Sequence, residues 1–489
     1  MKKKLLSILL AAVIALGVLS GSALSAGASS LLGDVDNDGE IDVIDATLIQ
    51  RHFANVKQLD EAAQKRGAVS GGEFSITDAT LIQRYAAKLI AFFPAEENAE
   101  TQDVITIHFI DNKNWGNFYA YLYNEDSGEE LEAYPGVALT DPTVNADGYN
   151  EYSLNVDVKK YDRVIFSSGR RQTIEAPVTK ASYGYMIADK NASKYDVDIY
   201  TGGQVDAGKI RTVKMDFPVY PEGEQKTVWI YLPDGYDPED TDKRYSVLYM
   251  DDGQVMLGTL PNDDWRCDKT VRSLMNNGGD GIIIVGISSL EGVRYQEMCP
   301  YIGEPAMDPE LLEKYRETMT EEELNEAYKA WLEGYEEYCQ GGIFADFTVN
   351  TVIPYVDSHY NTNSVRGFTG SSAGGLEAFY IGMEYPEVFD YVGVMSPSLN
   401  AYDASVWDEY LSTKDFSGEV PRMYFFCGNN PKDAIETDLY TYSVQAEGWL
   451  LDHDYPSDRI RTVTNDDTKH LHKYWGLYLP ELLCWGMEL

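Results

Sequence analysis

Basic residues are scarce in this chain. Over 489 residues, 39 Lys and Arg stand against 80 Asp and Glu, for a formal net charge of −41. A molecule of that sign repels phosphate backbones and anionic lipid, so neither nucleic acid nor a membrane surface is an expected partner. Cysteine is scarce as well. Cys267, Cys299, Cys339, Cys427 and Cys484 are odd in number, widely spaced and confined to the last half. That pattern offers no disulfide framework and no CxxC metal site, and buried free thiols are expected. Histidine occurs six times, which leaves few candidates for a general base. Beyond the start, no apolar stretch approaches the ~20 residues needed to span a bilayer. The start itself reads Met1-Lys2-Lys3-Lys4, an apolar run from Leu5 to Leu19, then small residues to Ala28. That order predicts a secretory signal over residues 1–28 and a mature protein outside the cell. The remainder is rich enough in hydrophobic (44%) and aromatic (12%) residues to build packed cores, and its length predicts roughly three domains.

The heptapeptide Asp-Ala-Thr-Leu-Ile-Gln-Arg occurs at Asp45 to Arg51 and again at Asp78 to Arg84, 33 residues on. Ahead of the first copy, Asp34, Asp36, Asp38, Asp42 and Asp45 fall at loop positions 1, 3, 5, 9 and 12, with Gly39 at position 6. Alternating carboxylates, a backbone carbonyl from Glu40 and a glycine at the sharp turn suit a hard cation with oxygen ligands, so calcium is expected. At the second copy Gly67, Val69, Gly71 and Ser75 replace four of those donors and only Asp78 remains. That loop is expected to bind calcium weakly or not at all. The duplicated segment resembles a type I dockerin, assigned to residues 29–90. The resemblance implies a small α-helical calcium-binding module whose partner is a cohesin of a scaffoldin. Thr47, Leu48, Gln50 and Arg51, with Thr80, Leu81, Gln83 and Arg84, would form its duplicated docking faces.

An acidic linker at 91–102 leads to short alternating stretches, Val104 to Phe109, Phe118 to Tyr123, Tyr152 to Val156 and Arg163 to Phe166. Their spacing predicts a β-sandwich over residues 103–202. Tyr119, Tyr121 and Tyr123 alternate along one strand and so share a face, a ring platform on which sugars stack. With Trp115-Gly, Tyr134-Pro-Gly136 and Arg171-Gln-Thr173 the segment resembles family 26 starch-binding modules. That resemblance makes Tyr121, Tyr123 and Tyr134 platform rings, Tyr134 standing where the family has Trp, and gives Gln172 hydrogen bonds to sugar hydroxyls. The polysaccharide partner would be an α-glucan or a plant cell-wall glycan.

From about Val213, continuous apolar runs such as Ser246 to Met250 and Gly281 to Val285 alternate with helical stretches, the rhythm of a buried parallel sheet. An α/β domain is expected over residues 203–489. Its chemical centre is Gly370-Ser371-Ser372-Ala373-Gly374, leading into helical Leu376 to Glu384. Gly-x-Ser-x-Gly between strand and helix is a nucleophile elbow that exposes the Ser372 hydroxyl. A serine needs a base. Chain order leaves His453, His470 and His472, and His470, ahead of Tyr474-Trp475, is preferred. For the acid, Tyr424 to Gly428 reads as the buried strand, and Asp433 is the first carboxylate after it, with Glu436 and Asp438 also possible. These stations, with Val247 to Gln254, Arg294, Glu297, Pro300 and Ser396-Pro-Ser398, resemble the esterase D and enterochelin esterase-like α/β-hydrolases, relatives of feruloyl and acetyl-xylan esterases. The resemblance implies Ser372 as nucleophile, His470 as base, backbone N–H groups of Gln254 and Ala373 as oxyanion donors, and no catalytic cofactor. An acidic insert at 304–340, carrying Tyr315, Tyr328, Trp331, Tyr335 and Tyr338, reads either as a lid or as a solvated helical pair.

The combined expectation is a secreted, scaffold-docked serine esterase acting on ester substituents of plant polysaccharides. Its alternatives are a catalytically idle glycan-binding scaffold component and an acyltransferase on the same fold.

Overall fold

The computed structural model describes residues 32–36, 41–70, 74–86, 103–202, 209–257, 263–306, 309–316 and 318–489. The expected signal, the linker at 91–102, and Asp38, Gly39, Glu40 and Gly71 lie outside the described residues. Two compact units form, residues 1–102 and 103–489.

In the first unit the repeated heptapeptides lie within the helices Val43–Phe53 and Ile76–Ala86, joined through Glu61–Gly67. Asp42 caps the first helix, and Asp45 three residues on returns a bond to the Asp42 N–H, a capping box that fixes where the helix starts. Val35, Leu48, Ile49, Val69 and Ile82 form the core. A Cβ on Gly67 would fall 2.9 Å from the Phe74 ring, so a larger residue there would have to displace that ring. Leu48, expected on a docking face, is instead 7% exposed inside this core. Gln50, Arg51, Thr80, Gln83 and Arg84 do face solvent, with Thr47 and Leu81 between.

The second unit contains a sandwich and a larger sheet. One sandwich layer runs β4 (Thr143–Val144), β5 (Asn150–Asp157), β1 (Val104–Asp111), β8 (Gly184–Asn191), β9 (Lys194–Ile199). The other runs β3 (Val137–Ala138), β2 (Tyr119–Tyr123), β6 (Arg163–Ser167), β7 (Ala176–Pro177). Period-two alternation explains the layers: Ile105, Ile107 and Phe109 of β1 point inward, where Phe109 meets Phe166 edge-on.

The larger sheet has eight strands, in the order β10 (Ile210–Asp216), β11 (Gln225–Tyr231), β13 (Ile282–Ile287), β12 (Tyr245–Met250), β14 (Thr362–Ser371), β15 (Tyr391–Met395), β16 (Arg422–Gly428), β17 (Ile460–Asn465). β10, β11 and β13 pair antiparallel, and every pairing from β13 to β17 is parallel. All six residues of β13 are buried, as an apolar run covered on both faces requires. This is the α/β-hydrolase architecture, in a chain that also holds a β-sandwich and a small helical module. The sandwich and the sheet share a hydrophobic cluster across the C-terminal helix His472–Gly486, where Ile174 and Val178 accompany Tyr478, Leu479 and Leu483. At that seam the buried Arg163 of β6 pairs with Glu481, its guanidinium nitrogens 3.2 and 3.3 Å from the carboxylate.

Candidate active site and flanking binding sites

The elbow is strained. Ser372 sits at φ 61°, ψ −122° between the end of β14 and the helix Ala373–Glu384, a conformation that costs a non-glycine residue about 1–3 kcal/mol. Backbone bonds hold it there: Ser372 N–H donates to Met395 O (3.0 Å), while Leu376 N–H (3.1 Å) and Ser398 N–H (3.0 Å) donate to Ser372 O. The motif glycines have a steric cause. A Cβ on either Gly370 or Gly374 would overlap the Asp251 carboxyl group. Asp251 is wholly buried, and burial, followed by the neighbouring Asp252 charge, pushes its carboxyl well above the ordinary carboxylate range.

Asp252 opens the turn that carries Gln254. Arg294 clamps it, Nε at 2.8 and 2.9 Å and an η nitrogen at 2.6 Å, and also donates to Ser371 O at 3.0 Å. One guanidinium thereby joins the Gln254 turn to the strand behind the nucleophile. Gln254 Nε2 donates to Asp252 Oδ1 (3.0 Å) and Ser289 Oγ (2.7 Å), and Ser289 N–H donates back to Gln254 Oε1 (3.2 Å). Gly253 packs so closely on Gly286 that neither tolerates a Cβ. The Gln254 backbone is thus fixed beside β13, and Ala373 begins the helix behind Ser372.

His470 lies in the loop after β17, its ring edge-on to Trp475 (centroids 5.0 Å, 87°). Glu436, not Asp433, faces that ring: Oε2 is 3.6 Å from His470 Nδ1. Ser396 Oγ donates to Glu436 Oε1 at 2.9 Å, and Trp475 Nε1 donates to Ser396 Oγ at 2.9 Å. Glu436 is fully buried. Asp433 is occupied elsewhere. Its Oδ1 caps the helix Ala434–Asp452 through Ile435 N (3.1 Å) and Glu436 N (3.3 Å), and Oδ2 accepts the backbone N–H of His470 (3.0 Å). The helix begins one residue after Asp433, so its first turn rotates Glu436 inward and leaves Asp438 exposed. His453 pairs with Asp408 (3.0 Å) and His472 with Asp263 (3.2 Å), both away from that carboxylate. Among the described residues no hydrogen bond joins Ser372 Oγ to the His470 ring.

Sequence reasoning missed Ser396, Asp252 and Asp251. Ser396 sits in Ser396-Pro397-Ser398 and the two aspartates in Met250-Asp251-Asp252-Gly253, so their positions were visible and their roles were not.

On the sandwich, Tyr121 and Tyr123 stack at 5.2 Å and 30°, and Tyr134 stands edge-on to Tyr121 at 5.7 Å. Tyr134 Oη donates to Gln172 Oε1 at 3.1 Å, so all four expected residues share one face. Glu130, bonded to the Tyr121 hydroxyl, raises that phenol to about 12. The Tyr123 hydroxyl is bonded to Glu175. Trp115 is core, packed edge-on to Phe118 and Tyr195.

In the helical unit, carboxylate oxygens of Asp34, Asp36 and Asp45 lie within 4.8 Å of one another. That donor set fits a hard cation. Burial pushes the Asp45 carboxyl up. Asp42 contributes as the helix cap, its Oδ1 2.6 Å from Ile44 N. In the second loop Asp78 accepts Ser70 N and Ser75 N, both at 2.7 Å, so one carboxylate closes that loop through backbone bonds.

The insert forms the helices Pro309–Arg316 and Glu321–Tyr338. Tyr328, Trp331, Tyr335 and Tyr338 make a ladder of rings with steps of 5.6, 5.7 and 6.1 Å. No residue described in the second helix is buried. All five cysteines are free.

Comparison with known families matches three separate segments of the chain. The Dockerin type I domain model matches residues 32–86, Starch-binding module 26 matches 107–176, and the Esterase model matches 222–424. The chain carries a dockerin, a starch-binding module and an esterase domain. Similar solved structures include a siderophore hydrolase from Aspergillus nidulans, at 14% identity over 60% of this chain and 98% of that one, TM-score 0.43. The feruloyl esterase module from Clostridium thermocellum, complexed with sinapinate, is 17% identical over 58% and 90%, TM-score 0.39. Enterochelin esterase from Shigella flexneri is 10% identical over 78% and 92%, TM-score 0.40. Among the described residues no helix is long and apolar enough to cross a membrane.

Proposed function

We propose that this protein is a secreted serine esterase, docked by its calcium-loaded dockerin to a cohesin-bearing scaffold, that removes acyl groups from plant polysaccharide. The observation that carries this reading is the Ser372 elbow, held at positive φ over Asp251 by glycines that admit no side chain. Ser372 Oγ attacks the ester carbonyl while His470 takes its proton. Backbone N–H groups of Gln254 and Ala373 receive the developing oxyanion, and Glu436 stabilises the imidazolium through Nδ1. His470 then returns the proton to the leaving alcohol, and water repeats the sequence to release the acid. The serine–histidine bond forms as substrate orders the site, a common tightening on passing from the free enzyme. The tyrosine face of the sandwich holds the polymer, and its rings suit an α-glucan.

Hydrolysis of aryl acetate, acetyl-xylan and feruloyl-arabinoxylan by the wild type and Ser372→Ala tests the reading. Loss of every activity with unchanged retardation on a soluble-starch gel is expected. Undiminished hydrolysis by Ser372→Ala would move the site elsewhere, and acyl transfer to added sugar in place of free acid would make the enzyme an acyltransferase.

A further inference from the structure

The β8–β9 hairpin of the sandwich grips the segment that carries His470 on both sides. Before the histidine, Lys194 Nζ lies 2.5 Å from Asp467 Oδ2, and Asn191 Nδ2 reaches Asp467 O at 3.5 Å. After it, Asn191 Nδ2 donates to Tyr474 Oη (2.8 Å), the Tyr474 hydroxyl donates to Asp196 Oδ1 (3.0 Å), and Lys473 Nζ donates to Asp196 Oδ2. Asp196 and Tyr474 are 3% and 2% exposed, so the bond between them lies out of bulk water, where it is strongest, while the Lys194–Asp467 pair is partly exposed. The esterase domain holds the same segment from its other flank, through Asn430 Nδ2 to Asp467 O (3.1 Å), Asp433 to His470 N (3.0 Å) and Asp263 to Lys473 N (3.1 Å).

We propose that this hairpin of the starch-binding module belongs to the catalytic apparatus, with Lys194, Asn191 and Asp196 as positioning residues that set the reach of His470 toward Ser372. The inference rests on the reading of His470 as base. Its physical ground is that residues 466–471, between β17 and the C-terminal helix, form neither strand nor helix, so only short turns, such as Thr468 N–H to Asn465 O (3.3 Å) and Leu471 N–H to Lys469 O (2.7 Å), hold the backbone from within. Side-chain anchors complete the hold: Asp433 on the His470 N–H itself, and the hairpin contacts at Asp467 three residues before and at Lys473 and Tyr474 three to four after. A displacement of about 1 Å at a reacting group can cost on the order of 100-fold in rate, so the position of this loop bears directly on the reaction. The module is therefore more than an address for the polymer, although its ring face and its hairpin are separate features.

The test uses the full chain and an aryl acetate. Lys194→Ala and Asp467→Ala are expected to lower kcat by about tenfold, with KM nearly unchanged, starch retardation intact and melting temperature within a few degrees. Lys194→Arg, or the exchange of Lys194→Asp with Asp467→Lys, should restore kcat, which a generally loosened fold would not. Asp196→Asn, nearly isosteric, gives an independent reading on the other anchor. Wild-type kcat in folded Lys194→Ala and Asp196→Asn overturns the proposal, as does a loss that tracks the folded fraction and resists the charge exchange. If Ser372→Ala or His470→Ala stays active, the serine-esterase reading fails; if both are inactive while the hairpin variants are normal, only the positioning role fails.

Discussion

Glu436→Gln should separate the two carboxylates near His470. The Glu436 Oε2 to His470 Nδ1 separation is 3.6 Å. With an effective dielectric of about 20, a carboxylate at that distance stabilises an imidazolium by about 4–5 kcal/mol, equivalent to a factor of roughly 10³ in rate. The amide keeps the shape of the side chain and the Ser396 bond but removes the charge, so kcat on an aryl acetate should fall by about 10²–10⁴ with KM little changed. Asp433→Ala removes a helix cap, worth about 1 kcal/mol of stability, and a bond to the His470 backbone. Its expected cost in kcat is under about tenfold, with the melting point lowered by a few degrees. Steady-state kinetics on both variants, with a thermal melt of each, decides. A thousandfold loss in folded Asp433→Ala beside a nearly normal Glu436→Gln would refute the assignment and return the acid role to Asp433.

Gly374→Ala places a methyl group onto the buried Asp251 carboxyl and should destabilise the esterase domain by about 3 kcal/mol or more; a soluble variant with an unshifted melt would contradict the packing argument. Glu175 is crowded with Glu481, Glu125 and Asp162 around the shared guanidinium of Arg163, and burial, then Glu481, pushes its carboxyl up to about 7 from 4.5. A raised folded pKa means that its stabilising contribution is complete below the unfolded value and is lost as pH rises through the folded one, by about 3 kcal/mol. Glu175→Gln should therefore gain stability relative to the wild type between pH 4.5 and about 7, then hold that gap; denaturant melts showing a gap that does not change across this window would refute the shift. Chelation of calcium, or Asp34→Ala, should abolish cohesin capture on a surface-immobilised cohesin while aryl acetate hydrolysis continues, and capture that survives chelator would remove calcium from the docking argument.

Local pattern sufficed wherever one element or one turn carries the information. The repeated Asp-Ala-Thr-Leu-Ile-Gln-Arg marks its two helices because cap and apolar phase lie within a dozen residues. The apolar runs of β12 and β13 announce a doubly covered sheet by composition alone, and Gly-x-Ser-x-Gly is a steric statement about one bend. The shared face of Tyr121 and Tyr123 was legible from alternation along β2, while Tyr134 and Gln172 came only through the resemblance of their short motifs to family 26 modules. Tertiary packing decided the rest. Whether Asp433 or Glu436 meets the histidine depends on the rotation of the helix Ala434–Asp452 against the sheet, and a shift of three residues along a helix start is nearly a full turn, invisible in a list of candidate acids. Leu48 turned inward for the same reason, since identical heptapeptides do not specify which side of a helix its neighbour will cover. The grip of Asn191, Lys194 and Asp196 on a loop more than 250 residues away has no sequence signature, because contacts between distant segments depend on how two separately patterned folds meet, and neither pattern encodes the other.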